Sequence, residues 1–236
     1  MPSEFPPVII LAGGTATRLG AIAEQIPKAM LRVADAPFID HQLRLLAEQG
    51  VTQIVLSVAH LGQQIEDFVR SGSRYGISVD YAYDGPLRLG TGGAIKAALN
   101  MVPNQFAVLY GDTYLDIEYK PVFDAYTNSH QAALMTVLKN ENRWDRSNVL
   151  FENGIIKLYD KHNPTADMEH IDYGLSIMNK SCFDDFPAHQ PFDLSEVFER
   201  RVQLGQMAGF EVHKRFYEIG TPPALAETEQ YLRNRK

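Results

Sequence analysis

The stretch "VIILAGGTATRLGAIAEQIPKAML", residues 8–31, decides how the rest of the chain is read. Residues 8–12 are apolar without alternation, the pattern of a strand buried on both faces in a parallel sheet. The run ends in Ala12-Gly13-Gly14. Glycines let a backbone approach a flat or charged ligand closely and tolerate positive φ. Successive N–H groups in such a turn form an anion-binding nest. Thr15, Thr17 and Arg18 add hydroxyl and guanidinium donors, and a planar guanidinium matches phosphate oxygens. Lys28, after Pro27, supplies a second cation for the same phosphates. The expected occupant of this loop is a nucleoside triphosphate. A P-loop is excluded, because Gly20, the next glycine after Gly14, is followed by Ala21 rather than lysine. A dinucleotide fingerprint is excluded too: counted from Gly14, Ala16 and Leu19 stand where glycines are needed.

Beyond this loop, strands alternate with helices. A helical pattern at Ile39, Leu43, Leu46 and Ala47 stops at Gly50, a natural C-cap. Residues 51–59 read as a second strand, followed by a helix carrying Leu61, Ile65, Phe68 and Val69. Residues 79–83 read as a third strand, 93–101 as a helix, and 106–112 as a fourth strand ending in an acid. This alternation predicts βαβ units and a Rossmann-like α/β fold, a mostly parallel sheet flanked by helices. After about residue 130 the rhythm changes. Strands are expected at 132–139 and 171–178, with a β-hairpin over 148–160 turning at Asn153-Gly154. Helices follow at about 194–204 and 222–235, the last capped by Thr221 with Pro222 in its first turn. The second half therefore reads as an extension of the same sheet. Open α/β sheets bind ligands beyond the carboxyl ends of their strands, where segments 12–28, 85–93 and 110–112 fall.

Two of those segments carry further chemistry. "LRLGTGGAIKAAL", 87–99, is a second glycine-rich turn entering a helix N-terminus, a place that favours anions or polar base edges. "LYGDTYLDI", 109–117, puts Asp112 beyond a buried strand, and Mg²⁺ takes one or two carboxylates plus phosphate oxygens. Glu218, in "FYEIGTPP", is a second acid before a glycine turn and pairs with Asp112 as the expected metal ligands. Asp116 and Asp172 are weaker candidates, read as turn or solvent-facing acids. Nucleophilic catalysis finds no motif, since no G-x-S-x-G or H-E-x-x-H occurs. Trp144, in the polar "NRWDRSN", could cover a ligand or simply support the loop.

Composition narrows the partners. The chain has 22 basic and 29 acidic residues among 236, a net charge of −7. Phosphate backbones reward basic surfaces, so no nucleic-acid partner is expected and any phosphate site must be local. The single cysteine, Cys182, fits a reducing cytoplasm and reads as a core residue. The start "MPSEFPP" lacks the features of a signal peptide, and no run is long enough to cross a membrane. A cytoplasmic monomer or homodimer with no membrane partner is the expectation.

Taken together, "LAGGTATRL", "IPKAML", "YGDTYLD" and "YEIGTPP" resemble, in order and spacing, the motifs of the sugar-1-phosphate nucleotidyltransferase family. The resemblance spans about residues 8–232. It implies a nucleotide-diphospho-sugar transferase fold over 1–236 as one domain. About 8–130 would form the nucleotide-binding half, and about 131–236 the sugar-binding half with the C-terminal helix. "LGTGGAI" and "IDYGLSIM" look most like the short enzymes that transfer guanylate to heptose 1-phosphate. Other branches use mannose, glucose or N-acetylmuramate 1-phosphates and uridine or cytidine nucleotides. The resemblance implies that Leu11, Ala12, Gly13 and Gly14 line base and ribose, and that Gly90, Thr91 and Gly93 meet base and sugar. Arg18 and Lys28 would hold the triphosphate, and Asp112 and Glu218 would bind Mg²⁺. Gly111, Asp160, Lys161 and Gly174 would lie along the sugar. A nucleoside triphosphate and a sugar 1-phosphate would give a nucleoside diphosphate sugar and pyrophosphate. Ala16 replaces a usual glycine, Ala29 a proline, Glu218 an aspartate, and Asp160-Lys161 the family's Glu-Lys. A competing reading from another class is a non-catalytic regulatory protein that binds a nucleotide sugar.

Overall fold

A computed structural model describes residues 5–14, 25–59, 61–85, 87–140 and 143–235. The chain enters through β1 (Val8–Leu11). After the glycine loop a short ribbon of β2 (Arg32–Val33) and β3 (Ala36–Pro37) leads into α1 (Phe38–Glu48). Then come β4 (Gln53–Val58), α2 (Gly62–Val69), β5 (Ser78–Tyr83), α3 (Gly90–Ala98) and β6 (Gln105–Tyr110). β1, β4, β5 and β6 are paired in parallel, with Val8 opposite both Ile54 and Ala107. This is the expected parallel half, and its apolar runs have a direct cause. Val8 and Ile10 of β1 face the core built by α1 and α2, whereas Ile9 faces the one containing Ile95 and Ala98 of α3. A strand covered on both faces has no polar position to alternate.

The second half continues that sheet. β7 (Thr113–Tyr114) and α4 (Lys120–Ser129) are followed by β8 (Ala133–Lys139), β9 (Val149–Glu152), β10 (Ile155–Tyr159) and β11 (His170–Asn179). α5 (Leu194–Gln203), β12 (Met207–Val212), β13 (Tyr217–Glu218) and α6 (Pro222–Asn234) complete the chain. The main sheet runs β5-β4-β1-β6-β11-β8-β12-β10-β9. β11 lies antiparallel to both β6 and β8, while β12 is parallel to β8, so the sheet as a whole is mixed. α6 closes a third apolar cluster, where Leu232 meets Val33, Phe38 and Ile219. No helix among the described residues is long and apolar enough to cross a membrane.

Several boundaries differ from the sequence reading. The helix expected at 93–101 begins at Gly90 and tightens into a 3-10 turn over Leu99–Met101. The strand expected at 106–112 ends at Tyr110, so Asp112 sits in the turn beyond it. α4 and β12 have no counterpart in the sequence reading. α4 buries only Val122, Phe123 and Tyr126. The apolar pattern of β12 is interrupted by Gly209, where a β-carbon would stand 2.6 Å from the Phe151 ring. Cys182 is fully buried in a core and donates to the Ala132 carbonyl at 3.3 Å.

The β9–β10 hairpin turns where expected, with φ of +50° at Asn153 and +79° at Gly154. Both belong to the left-handed region that primed two-residue turns require. Gly154→Ala meets no neighbouring atom and suffers only backbone strain. It should cost about 1 kcal/mol and lower Tm by about 2–4 °C in thermal unfolding, with nucleotide affinity unchanged.

Candidate active site

The carboxyl ends of β1, β4 and β6 open into a cavity of about 250 Å³. Leu11, Ala12, Gly13 and Gly14 form one wall, and Gly90 and Thr91 form another. The glycines are dictated by close approach. A β-carbon on Gly13 would lie 3.1 Å from that of Ala59. One on Gly111 would lie 2.5 Å from the Leu11 carbonyl oxygen, the acceptor of the Gly111 N–H at 3.0 Å. Gly111, expected along the sugar, thus lines this cavity instead. Gly93 does not line it, because the Gln190 carbonyl stands 2.8 Å from where its β-carbon would be. Thr91 uses its hydroxyl to accept from the Leu194 N–H at 2.8 Å. Thr15, Thr17 and Arg18 lie outside the described residues.

Lys28 and Asp112 meet at the cavity's edge, with Nζ 2.5 Å from Oδ2. Each is positioned by a specific device. Lys28 begins a 3-10 turn, and its N–H donates to the Gly14 carbonyl at 3.4 Å, tying together the two ends of the loop. Asp112 sits between two carbonyls gripped by buried Gln42, whose amide donates to Tyr110 at 3.0 Å and Thr113 at 2.7 Å. Sequence reasoning missed Gln42: only the burial of a polar residue on an apolar helix face marks it.

Glu218 reaches the same place through β13, which lies antiparallel to β7 with Glu218 opposite Thr113. The Ile219 N–H donates to the Asp112 carbonyl at 3.1 Å. The Glu218 carboxylate accepts from the Gly220 N–H, and a β-carbon on Gly220 would stand 3.0 Å from Lys28 Nζ. Two carboxylates, one in the turn before β7 and one on β13, beside a lysine are hard oxygen donors suited to Mg²⁺. Among the described residues no group of three or more His, Cys, Asp or Glu side chains converges. Ligand oxygens would have to complete such a site, and the donor set fits an ion shared with phosphate.

Lys28, Tyr110 and Asp112 also border a second, larger cleft of about 850 Å³. Lys161, Asp172, Gly174 and Glu218 line it, together with Trp144 and Arg215. Lys161 points its ammonium at Asp193, 3.3 Å away. Asp160 does not line the cleft; its carboxylate accepts from the N–H groups of His162 and Asn163 at 2.8 and 2.7 Å, closing a turn. Asp116 lies in neither cavity and pairs with Arg235 at 3.1 Å. Asp172 stands at an irregularity of β11, where its Oδ1 accepts from the Gly174 N–H at 3.0 Å and Gly174 has φ of +104°. Burial pushes its carboxyl up to about 6, against the pull of that N–H and of Lys161. Arg88, beside the first cavity, and Arg143 and Arg215, beside the second, were not singled out by sequence. Arg88 falls within the glycine-rich segment 87–99 and Arg143 within "NRWDRSN", but neither segment's pattern marks the arginine, and Arg215 lies outside every quoted segment.

A family model described as "Nucleotidyl transferase" matches residues 7–235. The chain belongs to the nucleotidyl transferase family. Within this family it is 30% identical to the D-glycero-alpha-D-manno-heptose 1-phosphate guanylyltransferase of Campylobacter jejuni, covering 91% of this chain and 94% of that one. It is 28% identical to the Aneurinibacillus thermoaerophilus enzyme of the same name, covering 96% and 98%. Among solved structures, HddC from Yersinia pseudotuberculosis superposes with a TM-score of 0.80 at 25% identity, covering 97% of this chain and 100% of HddC. HddC has also been solved complexed with GMP-PN, a structure that superposes with the same TM-score of 0.80.

The raised carboxyl of Asp172 has a consequence for stability. The folded chain holds that proton more tightly than the unfolded chain, so stability falls as pH rises from about 4 to about 6. Asparagine keeps an acceptor for Gly174 without the charge. Asp172→Asn should therefore melt above the parent at pH 8, by on the order of 2 kcal/mol, and match it near pH 4. Thermal unfolding across that range reads the difference.

Proposed function

We propose that the chain, a sugar-1-phosphate nucleotidyltransferase, transfers guanylate from GTP to D-glycero-α-D-manno-heptose 1-phosphate. The observation that carries this reading is that a glycine-lined cavity and a larger polar cleft share Lys28, Tyr110 and Asp112. Two phosphorylated reactants placed in them would bring their phosphates together at one cation. The choice of base and sugar is supported by the similarity to the two heptose 1-phosphate guanylyltransferases.

A phosphate oxygen of the sugar 1-phosphate attacks the α-phosphorus of the nucleotide. The bond from that phosphorus to the bridging oxygen breaks, and pyrophosphate leaves with the electron pair. No protein nucleophile is needed, because such transfers depend on alignment and charge neutralisation. Lys28 exchanges its Asp112 partner for phosphate oxygens and offsets charge gathering on the transferred group. Arg18, by its place in the loop motif, is assigned to the same phosphates. The Gly13-Gly14 backbone admits base and ribose, and Lys161 meets the sugar phosphate side. Asp112 and Glu218 would hold Mg²⁺, which when bound offsets triphosphate charge.

The test is pyrophosphate release with Mg²⁺, four nucleoside triphosphates and a panel of sugar 1-phosphates. GTP with the heptose 1-phosphate should be the best pair. Lys28→Ala should lower kcat by about a hundredfold, equivalent to ~3 kcal/mol of transition-state stabilisation. Nucleotide-sugar binding without any pyrophosphate release would instead give the regulatory reading.

A further inference from the structure

The larger cleft contains an aromatic surface that the transfer chemistry leaves unused. Trp144 is 40% exposed although its loop is firmly held. Asn140, fully buried, donates from Nδ2 to the Asp145 carbonyl at 2.6 Å and accepts from the Trp144 N–H at 3.3 Å. The Arg143 N–H donates to the Asn140 carbonyl at 2.9 Å. The ring is braced by two residues just before β13. Phe216 meets it edge-on at 6.4 Å between centroids, and the Arg215 guanidinium lies 5.2 Å from its centroid. Arg215 is in turn fixed by Glu227 at 2.8 Å, and Phe216 by Tyr173 edge-on at 6.0 Å.

A pinned loop presenting a large apolar ring into a polar cleft implies a ligand with both kinds of surface. A sugar ring has them: its C–H face is apolar and its edge carries hydroxyls. Asp172 lines the same cleft and can accept from such hydroxyls. Trp144 lines this cleft but not the nucleotide cavity, which argues against stacking on the base. The phosphates belong at Lys28, where the two cavities meet. We propose that Trp144 is the platform on which the sugar ring of the acceptor stacks, with Arg215 and Phe216 holding the indole in place. Trp144 thereby determines which sugar 1-phosphates are accepted, by the ring face they offer. This inference rests on the reading of the chain as a sugar-1-phosphate nucleotidyltransferase.

Trp144 is the chain's single tryptophan, so intrinsic fluorescence reports on it alone. Sugar 1-phosphates, titrated without nucleotide, should change the emission in a saturable way. Nucleoside triphosphate with Mg²⁺, corrected for absorbance, should leave it nearly unchanged. Trp144→Ala should raise KM for the sugar 1-phosphate by about tenfold or more, with KM for the nucleotide held within about twofold. Trp144→Phe should recover most of the loss, and the unchanged nucleotide KM shows that both variants are folded. Turnover with silent fluorescence and an unchanged sugar KM in Trp144→Ala would overturn the platform and leave the enzyme standing. Emission that responds to nucleotide alone would move the ring to the base and overturn it too. A sugar response without pyrophosphate release would keep the platform and remove the enzymatic reading. No response and no turnover would remove both.

Discussion

The ion pair between Lys28 and Asp112 is the contact on which the site depends. It joins residues 84 positions apart in the sequence where the two cavities share a wall. The pair is only partly buried, and pairs of that kind add little to stability. Its importance lies in charge placement. Asp112, in the turn before β7, and Glu218, on β13, line the same cleft as Lys28. In the free chain Lys28 is paired with Asp112. It remains able to leave, because a phosphate offers it more negative charge than one carboxylate.

Placement of the pair is a backbone problem solved far from the charges. Gly111 lets the β6 end press against Leu11, and Gln42 grips the carbonyls on both sides of Asp112. The Ile219 N–H adds a third hold. The aspartate therefore has a fixed base, while the lysine sits at the end of a flexible stem. This is the division of roles expected when one partner must stay and the other must move.

How much of this was legible in the sequence follows from what each feature depends on. The parallel half was readable because burial on both faces leaves apolar runs such as Val8–Leu11. The Asn153-Gly154 turn was readable because a primed turn admits few residue types. β12 was not, because its apolar pattern is interrupted by Gly209, which packs against Phe151 of β9 and Ile156 of β10, and by Glu211, which meets His170 of β11, contacts that no local rule contains. Asp160 was misplaced for a different reason. A motif fixes the residue but not its side chain's direction, and the Asp160 carboxylate closes its own turn. Gln42 and Arg215 act through partners 68 and 12 residues away and have no local signature.

The two halves are also joined behind the site, at the start of α5. The Phe192 carbonyl accepts from the Gly92 N–H at 3.0 Å, and the Phe192 N–H donates to the Leu89 carbonyl at 3.0 Å. This contact leaves no room for side chains: a β-carbon on Gly90 would lie 2.5 Å from the Phe192 carbonyl oxygen. The next residue, Asp193, caps α5 through the Ser195 N–H at 2.9 Å and also faces Lys161 of the larger cleft. One turn of chain therefore supports both the glycine wall of the smaller cavity and the position of Lys161 in the larger cleft. The Gly90-Thr91 wall is thus tied by hydrogen bonds to the segment that carries the cap, and the cap carries the charge that Lys161 faces. On the proposed function an acidic chain gathers two polyanions, and its site lysines would have to be held where the phosphates arrive. The contacts at Asp112 and Asp193 do this by pairing each lysine with a carboxylate that the backbone fixes in place.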